Sequence, residues 1–224
     1  MAKKKEELKI YLFRHGKTDY NIGHKFTGWK DAKLAKSGIN DAKRVARKLK
    51  NKKFEIAIQT RLSRSKDTLK YILEFHPECK KIIEDNRMIE RGYGFLEGLT
   101  HELFIEQIGK QEYDLRVHGD AFENIRNKRL RKKVQRFFGE KEYEAIHRGY
   151  KVKIPGGESF YDVEQRVKKF ILWLKEYMKK NKVNVAISAH GNSIRLFRMI
   201  MEKASIDEME KWFIPYDKIY EYNL

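Results

Sequence analysis

A single cysteine, Cys79, in 224 residues excludes an intrachain disulfide and any structural metal site built from several thiolates. Zinc ribbons and secreted disulfide scaffolds are ruled out with it. Long apolar runs are also missing. No stretch approaches the roughly 20 residues that span a bilayer, and MAKKKEELKI opens on charge instead of a signal-peptide core. A cytoplasmic protein that does not enter membranes is the expectation. Acidic residues are scarce beside basic ones, 32 against 50, and the resulting formal charge of +18 concentrates anions near the surface at low salt. Those basic residues run along the whole chain without a zipper, RRM or zinc-finger pattern, so no specific nucleic-acid partner is expected. Internal repeats and low-complexity tracts are lacking, and the pattern leaves a homo-oligomer open.

What is present is enough for one core: 41% hydrophobic residues and 12% aromatic residues, at a length that many α/β domains fill as one unit. Residues 8–13, LKIYLF, read as a strand that ends where Arg14-His15-Gly16 begins. Ser37 can cap a helix that places Ile39, Ala42, Val45, Ala46 and Leu49 on one face. FEIAIQ at 54–59 reads as a second strand, with a helix carrying Leu69, Ile72 and Leu73 after it and a stop at Pro77. Lys81-Ile82-Ile83 is a short strand candidate ahead of the glycine-rich loop ERGYGFLEG at 90–98.

Residues 100–150 turn irregularly helical and very polar, and predict a basic insertion over the core. Ser159 and Asp162 start a helix whose Val163, Val167, Phe170, Ile171 and Leu174 share a face. VNVAISA at 183–189 runs as a strand into His190-Gly191-Asn192-Ser193 and a helix from about Ile194, and IYEYNL suits an edge strand. The alternation predicts a single α/β domain over 1–224, a three-layer sandwich with a mostly parallel sheet.

His15 and His190 share one local context: each follows an apolar strand, precedes a glycine and stands near an arginine. Ligands of parallel sheets bind beyond the carboxyl ends of strands, so two such histidines can meet in one crevice. Either could equally be a packed imidazole. Beside Arg14, whose planar guanidinium suits phosphoryl oxygens, a neutral imidazole could attack phosphorus and hold the phosphoryl group covalently. A metal is less suited, because arginines repel a cation and no carboxylate cluster accompanies them. Glu90 is a candidate acid, since a partly desolvated carboxyl can keep its proton; a solvated loop glutamate is the plain alternative.

RHGKTDYN, LSRS, IERGYGFLEG and AHGNSIR, in that order, resemble the histidine phosphatase superfamily in its phosphoglycerate mutase branch. FTGW at 26–29 and HGNSIR at 190–195 are especially similar to the members that depend on 2,3-bisphosphoglycerate. The resemblance implies the family's α/β sandwich and phosphohistidine chemistry at His15, with Arg14, Arg64 and His190 around the transferring group and Glu90 as proton donor. It implies a phosphate or glycerate pocket lined by Thr18, Asn21, Thr27, Gly28, Tyr93, Gly191 and Asn192. It also implies 2,3-bisphosphoglycerate as phosphoryl primer, no metal, a small phosphorylated substrate, and a role in glycolysis and gluconeogenesis. Attack requires a neutral His15 whose other nitrogen is fixed as a donor, expected to a backbone carbonyl.

Three features depart from the mutase pattern. His101 stands where the mutases carry lysine, and 100–150 lacks their adjacent arginine pair and proline-rich stretch. Lys128-Arg129 or Arg131 could supply that charge from elsewhere in the basic stretch 128–136. Gly156-Gly157 before Glu158-Ser159 is more similar to the family's phosphatases. A phosphomonoester phosphatase on the same site, and a silent protein that only holds anions, are therefore the competing expectations.

Overall fold

The computed structural model describes residues 7–117 and 125–224; the lysine-rich opening at 1–6 and the middle of the expected insertion at 118–124 lie outside them. Five strands, β1 (Lys9–Arg14), β2 (Ile56–Gln59), β3 (Lys81–Glu84), β4 (Val185–Ala189) and β5 (Ile219–Asn223), form one sheet in the order β3-β2-β4-β1-β5. Only β5 runs antiparallel, against β1. The mostly parallel sandwich expected from the alternation is the observed fold.

The strand period of two sorts side chains between two layers. Ile10 and Leu12 of β1 join Val185 and Ile187 of β4 in a core with α6 (Phe160–Asn181) and α7 (Gly191–Glu202), through Phe170, Leu174, Ile194 and Phe197. Tyr11 and Phe13 point the other way, with Ala57 and Ala186, onto Val45 and Leu49 of α2 (Lys36–Leu49) and Leu69 and Ile72 of α3 (Ser63–Leu73). Every residue of β4 is buried, as a strand covered on both faces requires.

Several boundaries differ from expectation. Helix α2 starts at Lys36 with Ala35 as its N-cap and no side-chain cap, so Ser37 sits inside the first turn. Its start is held by tertiary contacts instead: Ala35 N–H donates to the Lys17 carbonyl, and Lys17 N–H donates to Asp41. Strand β2 begins at Ile56, although Phe54 is fully buried. Helix α7 begins at Gly191, three residues early, which makes His190 its N-cap.

The described part of 100–150 is regular where irregular helix was expected. Helices α4 (His101–Val117) and α5 (Lys128–Arg148) form an antiparallel pair. Their backbones approach at Gly109 and Gly139, where an added Cβ would lie 2.1 Å from the Gln135 carbonyl oxygen and 2.0 Å from that of Ile105. Phe104 and Ile105, with Tyr143 and Ile146 beside them, pack on Phe26, Tyr93, Leu96 and Ile154. The pair thus stands against the loops that reach the sheet's carboxyl edge. Among the described residues no helix is long and apolar enough to cross a membrane.

Candidate active site

Strands β1 and β4 are neighbours in register, with Arg14 opposite Ala189, so the residues that follow both leave the sheet at one point. His15 N–H donates to the Ala189 carbonyl at 3.0 Å, and the rings of His15 and His190 stand 5.0 Å apart between centroids. Both side chains are buried. His15 Nδ1 lies 2.7 Å from the Gly16 carbonyl oxygen. A carbonyl only accepts, so Nδ1 carries the hydrogen and Nε2 keeps its lone pair, the arrangement that nucleophilic attack needs. Burial first, then the charges of Arg64 and Arg14, hold this imidazole well below its ordinary pKa despite the opposing Gly16 bond. Burial and Arg64 do the same to His190, whose Nε2 is 2.8 Å from Thr60 Oγ1.

Two arginines frame the pair. Arg14 donates to the Ile214 carbonyl at 2.9 Å and lies 4.0 Å over the Tyr216 ring. Arg64 is 1% exposed and donates to the Lys30 and Gly28 carbonyls, both at 2.8 Å. Burial lowers its pKa to about 10, which leaves it a cation at neutral pH. Gly28 makes this anchor possible: its φ is +51°, and a Cβ there would lie 1.9 Å from Glu97 Oε1. The Nε atoms of Arg14 and Arg64 and Nδ1 of His190 are buried without a hydrogen-bond partner among the described residues. Buried polar groups are normally paired, so nitrogens left unpaired on three side chains at one place mark an anion site.

Glu90 supplies the carboxyl group of the site. Its Oε1 accepts from the backbone N–H groups of Arg91 at 2.8 Å and Asn192 at 3.1 Å, so a proton would reside on Oε2. One carboxylate oxygen of Glu90 and one nitrogen of each histidine lie within 4.8 Å of one another. A metal ion would accept that spacing, but the adjoining arginines favour an anion. Arg166 fastens this corner, donating to the Glu90 carbonyl at 3.1 Å and pairing with Glu158 at 2.9 Å. Glu158 Oε2 in turn accepts from Gly92 N–H. The GGES stretch therefore supports the Glu90 loop.

A cavity of about 260 Å³ opens beside Glu90, lined in part by Arg14, Asn21, Thr27, Gly28, Tyr93, Gly191 and Asn192. Of the residues expected there, Thr18 is not brought to it: its hydroxyl caps the short helix α1 (Asp19–Ile22), accepting from Asn21 N–H at 3.2 Å. Asn192 donates to the Tyr93 hydroxyl at 3.2 Å. The basic stretch 128–136 does not line the cavity either; Arg131 donates to the Ile125 carbonyl, and Arg136 pairs with Glu102 and Glu140. The cationic lining comes instead from Lys25, Arg148 and Arg195, with His24, His101, His147 and Tyr216. None of these was singled out as a site residue, although Arg195 lies inside HGNSIR and His101 marks the missing lysine.

The model of the histidine phosphatase superfamily (branch 1) matches residues 10–138 and 121–224. The chain belongs to the histidine phosphatase superfamily. Its relatives include proteins named 2,3-bisphosphoglycerate-dependent phosphoglycerate mutase. One from Buchnera aphidicola subsp. Schizaphis graminum is 34% identical, covering 92% of this chain and 89% of that protein. Another, from Mesorhizobium japonicum, is 33% identical over 90% and 85%. Among solved structures, a mycobacterial glucosyl-3-phosphoglycerate phosphatase superposes with a TM-score of 0.68 at 20% identity, covering 96% and 97% of the two chains. A phosphoglycerate mutase from Bacillus anthracis str. Sterne gives 0.63 at 20% identity, covering 88% and 81%. The structural likenesses establish the histidine phosphatase fold. Members of this superfamily are enzymes, and the His15–His190 centre is the candidate active site of this one.

Proposed function

We propose that this histidine phosphatase interconverts 3-phosphoglycerate and 2-phosphoglycerate through a phosphohistidine at His15. The observation that carries the reading is the locked tautomer of His15, which aims a neutral Nε2 beside the unpaired nitrogens of Arg14, Arg64 and His190. The FTGW and HGNSIR motifs and relatives of 33% and 34% identity over most of the chain support a mutase.

In the forward half-reaction the His15 Nε2 lone pair forms the N–P bond as the P–O bond breaks, and Glu90 gives its proton to the departing oxygen. Arg14, Arg64 and His190 face the charge on the remaining phosphoryl oxygens. In the return half-reaction Glu90 takes the proton of the attacking hydroxyl and the N–P bond breaks. 2,3-Bisphosphoglycerate supplies the phosphoryl group that first loads His15. The residues fit such a ligand: Arg14, Lys25, Arg148 and Arg195 line the cavity, and the Nε atoms of Arg14 and Arg195 are buried without a hydrogen-bond partner among the described residues. Such an enzyme serves glycolysis and gluconeogenesis in the cytoplasm.

A phosphatase is the second reading. It is favoured by His101 where the mutases carry lysine, a substitution that reduces permanent charge at the far end of the cavity. The two differ in whether water reaches the phosphohistidine. Incubation with 3-phosphoglycerate, with and without 2,3-bisphosphoglycerate, separates them. Primer-stimulated 2-phosphoglycerate is the expected product, and fast release of phosphate alone would establish the phosphatase instead.

A further inference from the structure

The far wall of the cavity carries three imidazoles delivered by three segments: His24 from the turn after α1, His101 from the first turn of α4 and His147 from the last turn of α5. Ring centroids of His24 and His101 are 6.5 Å apart, and those of His101 and His147 are 5.7 Å apart. The geometry is actively held. His24 adopts a left-handed backbone, φ 48°, a strained conformation for a non-glycine residue, and its carbonyl accepts from His101 N–H at 2.9 Å. His101 Nδ1 meets the Tyr143 hydroxyl at 3.1 Å, and Tyr143 stacks on His147 at 4.9 Å. His147 Nδ1 is buried without a partner among the described residues.

The surroundings of this wall are cationic. Lys25 adjoins His24, Arg148 follows His147, and Arg195 of α7 lines the same cavity with its Nε buried and unpaired. Arg91 lies behind, bonded to the carbonyls of Ile146 and Val152, and the Tyr93 ring stacks on His147 at 6.3 Å. Glu90 is the only carboxylate among the described lining residues, and it belongs to the phosphoryl end. Burial and His24 hold His101 at a pKa of about 4; burial and the neighbours His101, Arg195, Arg148 and Arg91 hold His147 at about 3. The rings of His101 and His147 are therefore neutral at pH 7. The acids nearest the arginines here are Glu90, which acts on Arg91 and Arg195, and Glu158 and Asp162, which act on Arg91; none forms an ion pair with Arg148 or Arg195 among the described residues.

We propose that His101 and His147, with His24 beside them, form a wall that recognises a second anionic group on the substrate, so that a ligand with two anionic ends brings protons from solvent onto His101 and His147 as it binds. The proposal rests on the phosphoryl site at His15 taking the first anionic end. An anion against the wall supplies the countercharge the imidazoles lack and thereby favours their charged forms. A permanent lysine would hold the same group at any pH; the imidazoles hold it more tightly as pH falls towards 6.

Calorimetric titration at pH 6.5, in two phosphate-free buffers of different ionisation enthalpy, counts the protons. The probes are 2,3-bisphosphoglycerate and glycerol 3-phosphate, which has a neutral tail. The wild type is expected to take up roughly one proton more per bisphosphate than His147→Gln or His101→Gln, a comparison that cancels ionisation of the ligand itself. His147→Gln is expected to weaken bisphosphate binding about tenfold at pH 6.5 and less at pH 8.5. His101→Lys, which supplies a fixed charge, keeps the affinity but takes up fewer protons. Should His147→Gln fail to fold, His101→Gln carries the same readout. Equal proton counts in the wild type and the glutamine variants, or the same difference with glycerol 3-phosphate, would overturn the proposal. Phosphorylation of His15 without proton uptake would sink this inference alone, and proton uptake without phosphorylation would sink only the proposed reaction.

Discussion

His15 and His190 face each other at 5.0 Å because Arg14 pairs with Ala189 across the parallel ladder of β1 and β4. A one-residue slip of that ladder would turn every side chain of one strand to the opposite face. Ile10 and Leu12 on one side and Tyr11 and Phe13 on the other, all nearly fully buried, prevent the slip. The packing of the core thus sets the distance between the two imidazoles.

That distance gives them different duties. His15→Ala is expected to abolish the acid-labile phosphoenzyme formed with radiolabelled 2,3-bisphosphoglycerate, whereas His190→Ala slows its formation by about 10²-fold or more and leaves some label. Label that persists on His15→Ala at the wild-type level would disprove the nucleophile.

Much of this site was legible in the sequence because its chemistry is local to strand ends. Arg14-His15-Gly16 and His190-Gly191 each follow an apolar run, and Nδ1 of His15 was expected to bond a backbone carbonyl, as it does to Gly16. Less legible was whatever depended on packing between distant segments. The start of α2 is fixed by Lys17, and no periodicity in 36–49 encodes that. The charge expected from 128–136 comes instead from Arg148, because an antiparallel helix pair brings the end of α5, not its start, to the cavity. Thr18 has the residue type of a phosphate ligand and of a helix cap alike, and the turn to Asn21 selects the cap.

Glu90 is positioned to protonate a leaving oxygen, since two backbone donors occupy its Oε1 and leave Oε2 for the proton. In Glu90→Gln, transfer from alkyl phosphates is expected to slow by about 10²–10⁴-fold, while aryl phosphates, whose leaving groups need little protonation, lose far less. Pre-steady-state phosphoenzyme formation measures both. Equal losses would assign Glu90 to geometry alone.

Stability carries a signature of the neutral imidazoles. His15, His190, His101 and His147 all have pKa values lowered by burial in the folded chain, against about 6.5 when unfolded. Below about pH 6.5 the unfolded state therefore binds more protons than the native state. These groups leave stability whole above that pH, and it is lost as pH falls towards their native values. The urea midpoint should fall between pH 7 and 5, and His147→Gln should make the fall shallower. Parallel curves for the two proteins would mean that His147 titrates normally.

Gly28 links backbone conformation to the phosphoryl site. Its carbonyl holds Arg64 at 2.8 Å, its φ is +51°, and the space beside its Cα belongs to the Glu97 carboxylate, which accepts from the N–H groups of Trp29, Lys30 and Tyr93. In Gly28→Ala the new methyl must displace that carboxylate or move the turn, and left-handed strain adds to either cost. A loss of about 2 kcal/mol is expected, read as a melting temperature lower by roughly 4–8 °C. Phosphoenzyme formation should slow as well, because a shifted turn moves the carbonyl that anchors Arg64. Lys30→Ala keeps the backbone carbonyl that also holds Arg64, so it should leave the rate of phosphoenzyme formation close to wild type. If Gly28→Ala melts and phosphorylates like the wild type, the turn is not what positions the guanidinium.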